Sequence, residues 1–335
     1  MIRYHTFKQF VVRLCGLSIG LVGCGEAPRD NPLDPLSPHY NSRGHLLVHT
    51  QTYYSPNQPL AGVSLLLAPA NLVQITDARG QFLFRDLPAD TYRVRAMKPG
   101  FAADSQEVVV LPQRTAEIFL QLNALPAFPS ISVRSENIST WIPITGETLQ
   151  LVVEARVTDA DGLDDIREVK LYSQRFGFLQ DLQRSGVDNR FVAVIREEAL
   201  APVSLFDLVG ERLWLEARDL AGALSVSDPV HLVRIIESTP LVSEPSGLKV
   251  TSPRPRFQWV RLRLPFEYRY RIDLSVFNIS FPLPVPLRQV DDISSDSSAF
   301  VYDSVLSSGA YVWTLSVIDR FSNLSRSREA VFEVK

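Results

Sequence analysis

Cysteine is scarce in this sequence, and its scarcity excludes two classes of protein. Only two of the 335 residues are cysteines, Cys15 and Cys24. Two cysteines are too few for the disulfide framework of a small secreted domain or for a four-cysteine zinc site. Any role for cysteine must therefore rest on one of these two positions.

Signatures of catalysis are also missing from most of the chain. Beyond residue 23 the sequence has four histidines and no Gly-x-Ser-x-Gly elbow, and no His-x-x-Glu zinc motif occurs at any position. A nucleophile with its base, or a zinc-activated water, normally depends on such residues. We therefore expect a protein that is not an enzyme and needs no cofactor. An enzyme with an unrecognised site is the less favoured alternative.

An excess of charge of either sign is absent. The chain carries 34 basic and 37 acidic residues, for a net charge of −3. Removal of residues 1–23 would take away three basic and no acidic residues, so the remaining chain would have a net charge of −6. Because this balance gives no general attraction to nucleic acid, no nucleic-acid partner is expected.

The N-terminal region lacks a hydrophobic run long enough to span a membrane. Residues 14–22 are apolar or small, and these nine residues fall well short of the about 20 that a transmembrane helix needs. Three basic residues and no acidic residue precede this run. The order of a charged region and a short apolar region is typical of an export signal, which we predict over residues 1–23.

The predicted signal ends in Leu21-Val22-Gly23-Cys24. These four residues resemble the lipobox of bacterial lipoproteins, in which a peptidase cuts before the cysteine and the thiol carries a diacylglyceryl group. The resemblance implies that Cys24 holds the chain on a membrane that it does not span, whereas Cys15 leaves with the signal. Gly25 stands where some bacteria use aspartate for inner-membrane retention, so the outer membrane is favoured. A simple secretory signal with an incidental cysteine is the alternative.

A proline-rich spacer is predicted to follow, so that residues 24–43 hold the lipidated cysteine and this spacer. Four prolines occur between residues 28 and 38, two or three positions apart over part of this stretch. Such spacing favours a stiff, extended polyproline conformation. The spacer would hold the folded part away from the bilayer.

The rest of the chain has the pattern of an all-β protein. Short runs of alternating apolar residues are separated by clusters of Gly, Pro, Asn and Asp, and no sustained helical period occurs. We therefore predict three tandem β-sandwich domains after the signal and spacer. Their predicted ranges are 44–124, 126–237 and 238–335.

The first of these segments has four recognisable motifs: Pro59–Val63, the Thr-Asp-x-x-Gly-x-Phe turn at Thr76–Phe82, Leu87-Pro88 with Tyr92, and Gly100-Phe101. These residues resemble the carboxypeptidase regulatory-like domain, a transthyretin-like β-sandwich. Asp90 departs from the family pattern, which usually has glycine before the Thr-Tyr pair, but aspartate also tolerates the left-handed turn expected there. The family is an accessory module, and the resemblance implies no peptidase activity.

The second segment has a run of alternating apolar residues over positions 149–157, and the third has the aromatic patterns Phe257-Gln-Trp259 and Tyr311-Val-Trp313. With these patterns, the second segment resembles a bacterial immunoglobulin-like domain and the third resembles a fibronectin type III-like domain. Asp219, Leu224 and Ser225 recur at the same offsets 100 residues later as Asp319, Leu324 and Ser325. This repetition predicts that one type of turn is used twice.

An aspartate-rich loop follows the first strand pattern of the second segment. It reads Asp159-Ala-Asp161-Gly162-Leu-Asp164-Asp165. The favoured interpretation is an Asp-Gly turn at a strand end, which needs no metal. Since Ca²⁺ binds through six to eight oxygens, a calcium site formed by Asp159, Asp161 and Asp164 is the alternative.

A series of arginines in the third segment is a second candidate site. Arg261, Arg263, Arg269 and Arg271 could form a basic stripe that binds an anionic ligand such as a lipid phosphate or an acidic glycan. Nearby aspartates between residues 273 and 296 could instead neutralise the stripe. We favour an ordinary solvent-exposed face here.

Exposed aromatic residues are a third candidate. Tyr53, Tyr54 and Trp141 could stack against sugars, although aromatic residues of β-sandwiches are more often part of the core. His45 and His49 lie four residues apart on one predicted strand, about 13 Å along its axis, which is too far for a shared metal. We interpret both histidines as surface residues.

The sequence therefore predicts a lipid-anchored protein of the bacterial cell envelope that acts as a non-catalytic structural or interaction arm. A glycan-binding accessory lipoprotein is the alternative. We expect an envelope protein or a polysaccharide as partner, in addition to the membrane itself.

Overall fold

The computed structural model describes residues 30–141, 146–186, 188–278 and 281–335. These residues form 23 β-strands and three short 3-10 turns, and they contain no α-helix. The predicted all-β class is confirmed. Within the same residues, no helix has the length and hydropathy that crossing a membrane requires. The predicted signal, lipobox and Cys24 lie outside the described residues.

Seven strands form a first β-sandwich. Its strands are β1 (Arg43–Thr52), β2 (Ser64–Ala68), β3 (Leu72–Ile75), β4 (Gln81–Pro88), β5 (Asp90–Met97), β6 (Asp104–Val110) and β7 (Thr115–Leu122). One sheet has the order β4-β1-β7, and the other has the order β3-β2-β5-β6. Side chains from both sheets meet in one core, where Leu46, Leu65, Val94 and Leu120 are fully buried. Strand alternation places these residues inward, as the sequence predicted.

The turn motif at Thr76–Phe82 is held by its own side chains. The Thr76 hydroxyl accepts a hydrogen bond from the Val63 amide at 3.0 Å and donates one to the Leu60 carbonyl at 3.1 Å. Asp77 Oδ1 accepts the Arg79 and Gln81 amides, both at 2.9 Å. The motif therefore fastens the loop before β2 to the start of β4.

Gly80 has a steric role in the same turn. Its φ is +69°, and a Cβ at this position would lie 2.5 Å from the Thr50 carbonyl oxygen. Both the left-handed conformation and the close approach of backbone require glycine.

The left-handed conformation expected at Asp90 occurs instead at Asp86, whose φ is 53°. Asp90 begins β5, and its Oδ1 accepts the Thr91 amide.

The described part of the spacer is not extended, contrary to the prediction. Asn31, Asp34 and Ser37 each precede a proline, and each side-chain oxygen accepts the amide two residues later at 2.9–3.1 Å. The carbonyl of each of these residues also accepts the amide three residues later. The three-residue spacing therefore produces consecutive turns, because proline suits the second position of a turn and Asn, Asp and Ser suit the first.

A second group of strands surrounds another core. The strands are β8 (Ala127–Thr140), β9 (Gly146–Thr158), β10 (Ile166–Ser173), β11 (Gly177–Arg184), β12 (Arg190–Arg196), β13 (Leu213–Asp219) and β14 (Leu224–Val226), with 3-10 turns at Leu163–Asp165, Glu197–Leu200 and Leu205–Leu208. They pair in the order β14-β13-β10-β11-β12-β9-β8. Leu151 and Val153 of β9 face Leu171 of β10 and Leu215 of β13 in a core where all four are fully buried.

The remaining strands enclose a third core rich in aromatic residues. They are β15 (Leu241–Glu244), β16 (Lys249–Thr251), β17 (Arg256–Val260), β18 (Tyr268–Asn278), β19 (Phe281–Ser294), β20 (Ala299–Val301), β21 (Gly309–Asp319), β22 (Leu324–Arg326) and β23 (Ala330–Val334). The small sheet β15-β17-β20 packs against a larger one built on β21. Phe257 and Trp313 are fully buried with ring centroids 4.8 Å apart. Ile236, which the predicted boundaries place in the second domain, packs in this third core.

The second and third groups of strands share a sheet. β22 pairs in parallel with β8, with Leu324 opposite Glu136 and Arg326 opposite Ile138. The pairing makes one 13-stranded sheet out of strands from both groups. Backbone hydrogen bonds therefore join the second sandwich to the third. The boundaries 44–124, 126–237 and 238–335 stay a prediction.

The predicted repeat of one turn is visible in the hydrogen bonds. Asp219 Oδ1 accepts the Ala223 amide at 2.7 Å, and Asp319 Oδ1 accepts the Asn323 amide at 2.9 Å. In each case a serine eight residues after the aspartate accepts an amide of the preceding strand at 2.9 Å. Both aspartates are almost completely buried, so each turn places a carboxylate inside the protein.

Candidate functional site

An acidic cluster lies between the first and second sandwiches. Asp159 and Asp161 follow β9, and Asp165 ends the 3-10 turn before β10. One carboxylate oxygen from each of these three residues lies within 4.8 Å of the other two. Asp219, at the end of β13, lies near enough to affect the pKa of Asp159. We call Asp159, Asp161, Asp165 and Asp219 the acidic cluster.

The first sandwich contacts this cluster through three residues. The Tyr54 hydroxyl donates to Asp165 Oδ1 at 2.6 Å, and the Ala124 amide donates to Asp161 Oδ2 at 2.8 Å. Asn123 Nδ2 donates to Asp219 Oδ2 at 2.6 Å. Asn123 and Ala124 belong to the short connection between β7 and β8. The cluster therefore holds the link between the two sandwiches.

Several oxygens at this junction have no hydrogen-bond partner among the described residues. They are Asp159 Oδ2, Asp165 Oδ2 and Asn123 Oδ1. Asp165 is 6% exposed and Asn123 is 7% exposed. Buried oxygens without a donor are costly, each by about 1–3 kcal/mol, so their occurrence together requires an explanation.

The electrostatics of the cluster favour its neutralisation. Burial raises the pKa of Asp159, and the negative charges of Asp165, Asp161 and Asp219 raise it further, while the Asp161 amide opposes the shift. The hydrogen bond to Asp165 raises the pKa of Tyr54 above its usual range, with burial and the same carboxylates adding to the effect. Both shifts have the direction expected where negative charges accumulate away from water.

Asp164 does not belong to this cluster, although the sequence-based alternative placed it there. Its side chain is fully exposed, and its Oδ1 lies 3.0 Å from Nη1 of Arg184. The 3-10 turn at Leu163–Asp165 turns Asp164 outward and Asp165 inward, where the latter is buried. This turn decides that Asp165, and not Asp164, is the third carboxylate beside Asp159 and Asp161. The spacing of the aspartates in the sequence does not predict the direction of the turn.

The repeated turn forms a different contact between the second and third sandwiches. There Asp319 Oδ2 lies 3.1 Å from Nε of Arg234, in an ion pair that lacks the geometry of a hydrogen bond. Asn323 Nδ2 donates to the same oxygen at 3.0 Å, and Asn323 Oδ1 accepts the Ser135 amide of β8 at 2.9 Å. The Arg234 guanidinium also lies 4.1 Å from the Phe266 ring centroid. Sequence reasoning found the turn but missed its arginine partner, which lies 85 residues earlier.

The candidate arginine stripe is largely neutralised within the chain. Arg269 and Arg271 lie 3.2 Å and 3.0 Å from carboxylate oxygens of Asp292 and Asp273. Arg261 pairs with Asp296. Of the four arginines, Arg263 alone has no ion pair among the described residues. Pairing between β18 and β19 brings Asp292 beside Arg269, whereas Asp273 lies two residues after Arg271 on β18 itself. This face therefore offers little net positive charge to an anion.

The remaining candidates serve mainly in local contacts. His45 Nδ1 accepts the Asp86 amide, while His49 Nε2 lies 2.6 Å from Glu117 Oε1 and its ring stacks on Phe119. The Tyr53 and Tyr54 rings meet edge to face, with centroids 5.1 Å apart.

Trp141 lies at the edge of a cleft between the second and third sandwiches. Its side chain is half-exposed, and the Arg328 guanidinium lies 4.9 Å from the centre of its ring. The cleft has a volume of about 1110 Å³ and a mainly apolar lining that includes Leu241 and Val331. One face of the tryptophan ring is therefore occupied by a side chain of the protein itself.

Comparison with known proteins identifies part of the chain. Residues 52–123 match the family model of the carboxypeptidase regulatory-like domain. No curated protein shows significant similarity to this sequence.

Similarities to solved structures are weak. BcpA, the major pilin subunit of Bacillus cereus, is 11% identical with a TM-score of 0.30, over 84% of this chain and 91% of that chain. The FN1–FN3 domains of chicken CNTN1 are 11% identical with a TM-score of 0.31, over 88% of this chain and 96% of that chain. The fibronectin(III)-like modules of Clostridium thermocellum CbhA are 12% identical with a TM-score of 0.29, over 63% and 93%.

These TM-scores are too low to show that the chain shares its overall arrangement with any of these structures. The family match, by contrast, covers strands β2 to β7 of the first sandwich and includes the turn at Thr76–Phe82, with the side-chain bonds described above. Residues 52–123 therefore match a carboxypeptidase regulatory-like domain, and two further β-sandwich cores follow them.

Proposed function

We propose that this protein is a lipid-anchored, non-catalytic arm of a bacterial cell envelope, held by Cys24 and most favourably placed at the outer membrane. The lipobox-like sequence Leu21–Cys24 supports the anchor. The feature that carries the role as an arm is the sheet shared across β8 and β22. A shared sheet with buried polar contacts transmits orientation from one sandwich to the next, as a spacer or a docking scaffold requires.

Both junctions between sandwiches are built from polar groups, several of them buried. The first uses the acidic cluster with Tyr54 and Asn123, and the second uses Asp319, Arg234 and Asn323. Buried polar contacts must be satisfied in one geometry, because a displaced partner leaves its neighbour without a hydrogen bond. These junctions support fixed relative orientations of the sandwiches, in contrast to flexible linkage.

Replacement of the anchoring cysteine is expected to release the protein from membranes. Cys24→Ala should abolish incorporation of radiolabelled fatty acid, because it removes the thiol that accepts the lipid, and should move the protein to the soluble fraction. Fractionation of cells and autoradiography measure the two effects. Cys15→Ala is the matched control and should keep both the label and the membrane location. A wild-type protein that stays on membranes without lipid label would contradict the proposed anchor.

A further inference from the structure

The two junctions use the same turn, but different side chains surround its buried aspartate. Asp319 has the arginine Arg234 beside it, with Nε 3.1 Å from Oδ2. Asp219, at the equivalent position, is joined by Asp159, Asp161 and Asp165. Among the described residues, no arginine or lysine forms an ion pair with any of these four carboxylates. The second junction thus contains its cation as a side chain, whereas the part of the first junction that the structure describes contains no such cation.

The first junction also contains oxygens that point to a ligand. Asp165 and Asn123 are 94% and 93% buried, and each has an oxygen without a hydrogen-bond donor among the described residues. They come from different sandwiches, and Asn123 is not a member of the acidic cluster. Its Nδ2 is bonded to Asp219 and the next amide is bonded to Asp161, which places its carboxamide at the cluster.

The oxygen donors available here are those of a hard cation. The acidic cluster offers four carboxylates, and Asn123 offers an amide carbonyl, while no histidine or cysteine of the described residues takes part. Ca²⁺ binds six to eight carboxylate, carbonyl and water oxygens with flexible geometry, whereas Mg²⁺ demands a near-ideal octahedron. Here the ligand oxygens come from a loop, a strand end and an interdomain link. Such a mixed set suits the flexible coordination of Ca²⁺ better than the strict octahedron of Mg²⁺.

We propose that the acidic cluster and Asn123 form a Ca²⁺ site that joins the first sandwich to the second. Asp159 Oδ2, Asp165 Oδ2 and Asn123 Oδ1 supply free oxygens, Asp161 and Asp219 supply charge, and water completes the coordination. The ion takes the place that the Arg234 guanidinium has at the second junction. Its binding fixes the link at Asn123 and Ala124 to the acidic loop. This inference does not depend on the lipid anchor.

Calcium titration of the full chain tests the site directly. The protein is purified in mild detergent, stripped with a chelator and titrated with CaCl₂ in a calorimeter. We expect one Ca²⁺ per chain, with a Kd of about 10⁻⁴ M or below and weaker binding of MgCl₂. Wild-type protein that binds no Ca²⁺ would overturn the proposal without recourse to any variant.

Two variants and one control locate the ion. Asp159→Asn should weaken Ca²⁺ binding by about tenfold or more, because affinity depends on the number of charged ligands. Asn123→Ala should also weaken it, which tests the contribution of the first sandwich. Asp164→Asn changes an exposed aspartate in the same loop and should leave the Kd unchanged. Equal Kd values for Asp159→Asn, Asp164→Asn and wild type would refute the assignment.

Discussion

Replacement of Arg234 with methionine is expected to destabilise the junction between the second and third sandwiches by about 3 kcal/mol. The variant keeps most of the aliphatic stem but removes the cation next to Asp319, which is 2% exposed. Removal of one partner from a buried ion pair typically costs about 3–5 kcal/mol because the other charge is left uncompensated. The lower end applies here, since Asn323 and two backbone amides still donate to the Asp319 carboxylate.

A double-mutant cycle separates this effect from a general loss of packing. In the Arg234→Met background, Asp319→Asn removes the uncompensated charge and should recover part of the stability, with a coupling free energy of at least about 1 kcal/mol. Equilibrium urea unfolding followed by tryptophan fluorescence measures each variant. Arg288→Met, which removes an exposed pair with Asp303, is the control and should give a transition close to wild type. Additive effects of Arg234→Met and Asp319→Asn would show that the pair does not act as a unit.

Trp313→Ala is expected to destabilise the third sandwich by about 3–5 kcal/mol. The side chain is fully buried, and its ring packs against Phe257. Its Nε1 also donates to the Pro245 carbonyl at 2.8 Å, which the substitution would leave without this donor. Loss of a buried tryptophan combines the cost of lost apolar burial with the cost of the cavity that remains.

Trp214→Ala is the matched comparison for this prediction. Trp214 lies on β13, which corresponds to β21, but it faces the outside of the sheet, where it stacks on Tyr172 with centroids 5.9 Å apart. Its replacement should cost about 1 kcal/mol. Urea unfolding of both variants tests the difference. A similar loss of stability for the two would contradict the assignment of opposite faces.

The cores were predictable from sequence because strand alternation is a local property. Leu65 in β2 and Leu151 in β9 have apolar neighbours two positions away, and both are fully buried. In the same way, the repeat of Asp219 at Asp319 predicted a common turn, because a turn is determined by residues close in sequence.

The junctions were not predictable because their contacts join distant residues. Leu324 lies opposite Glu136, and Asn323 binds Ser135, across 188 positions of sequence. No local pattern encodes such a pairing. The neutralised arginine stripe is an intermediate case. Asp273 lies two residues from Arg271 in the sequence, whereas Asp292 meets Arg269 only after β18 and β19 have paired.

The acidic cluster was partly predictable. Asp159 and Asp161 stood out by composition, but the choice between Asp164 and Asp165 depends on the direction of one 3-10 turn. The contributions of Tyr54, Asn123 and Asp219 come from other parts of the chain. A cluster at a junction therefore becomes visible only when the strands that meet there are placed.

The proposed arm requires that the three sandwiches have fixed orientations relative to one another. The distance between a spin label on the first sandwich and one on the third sandwich is a direct test of this requirement. Val73 and Val301 are exposed on β3 and β20 and can carry the labels as cysteines in a chain whose Cys15 and Cys24 are replaced by serine. In the presence of Ca²⁺, pulsed electron paramagnetic resonance should give a single distance distribution as narrow as that of a control pair within the first sandwich, Val73 and Val109. A broad distribution for Val73 and Val301, with a narrow one for the control pair, would contradict a stiff arm.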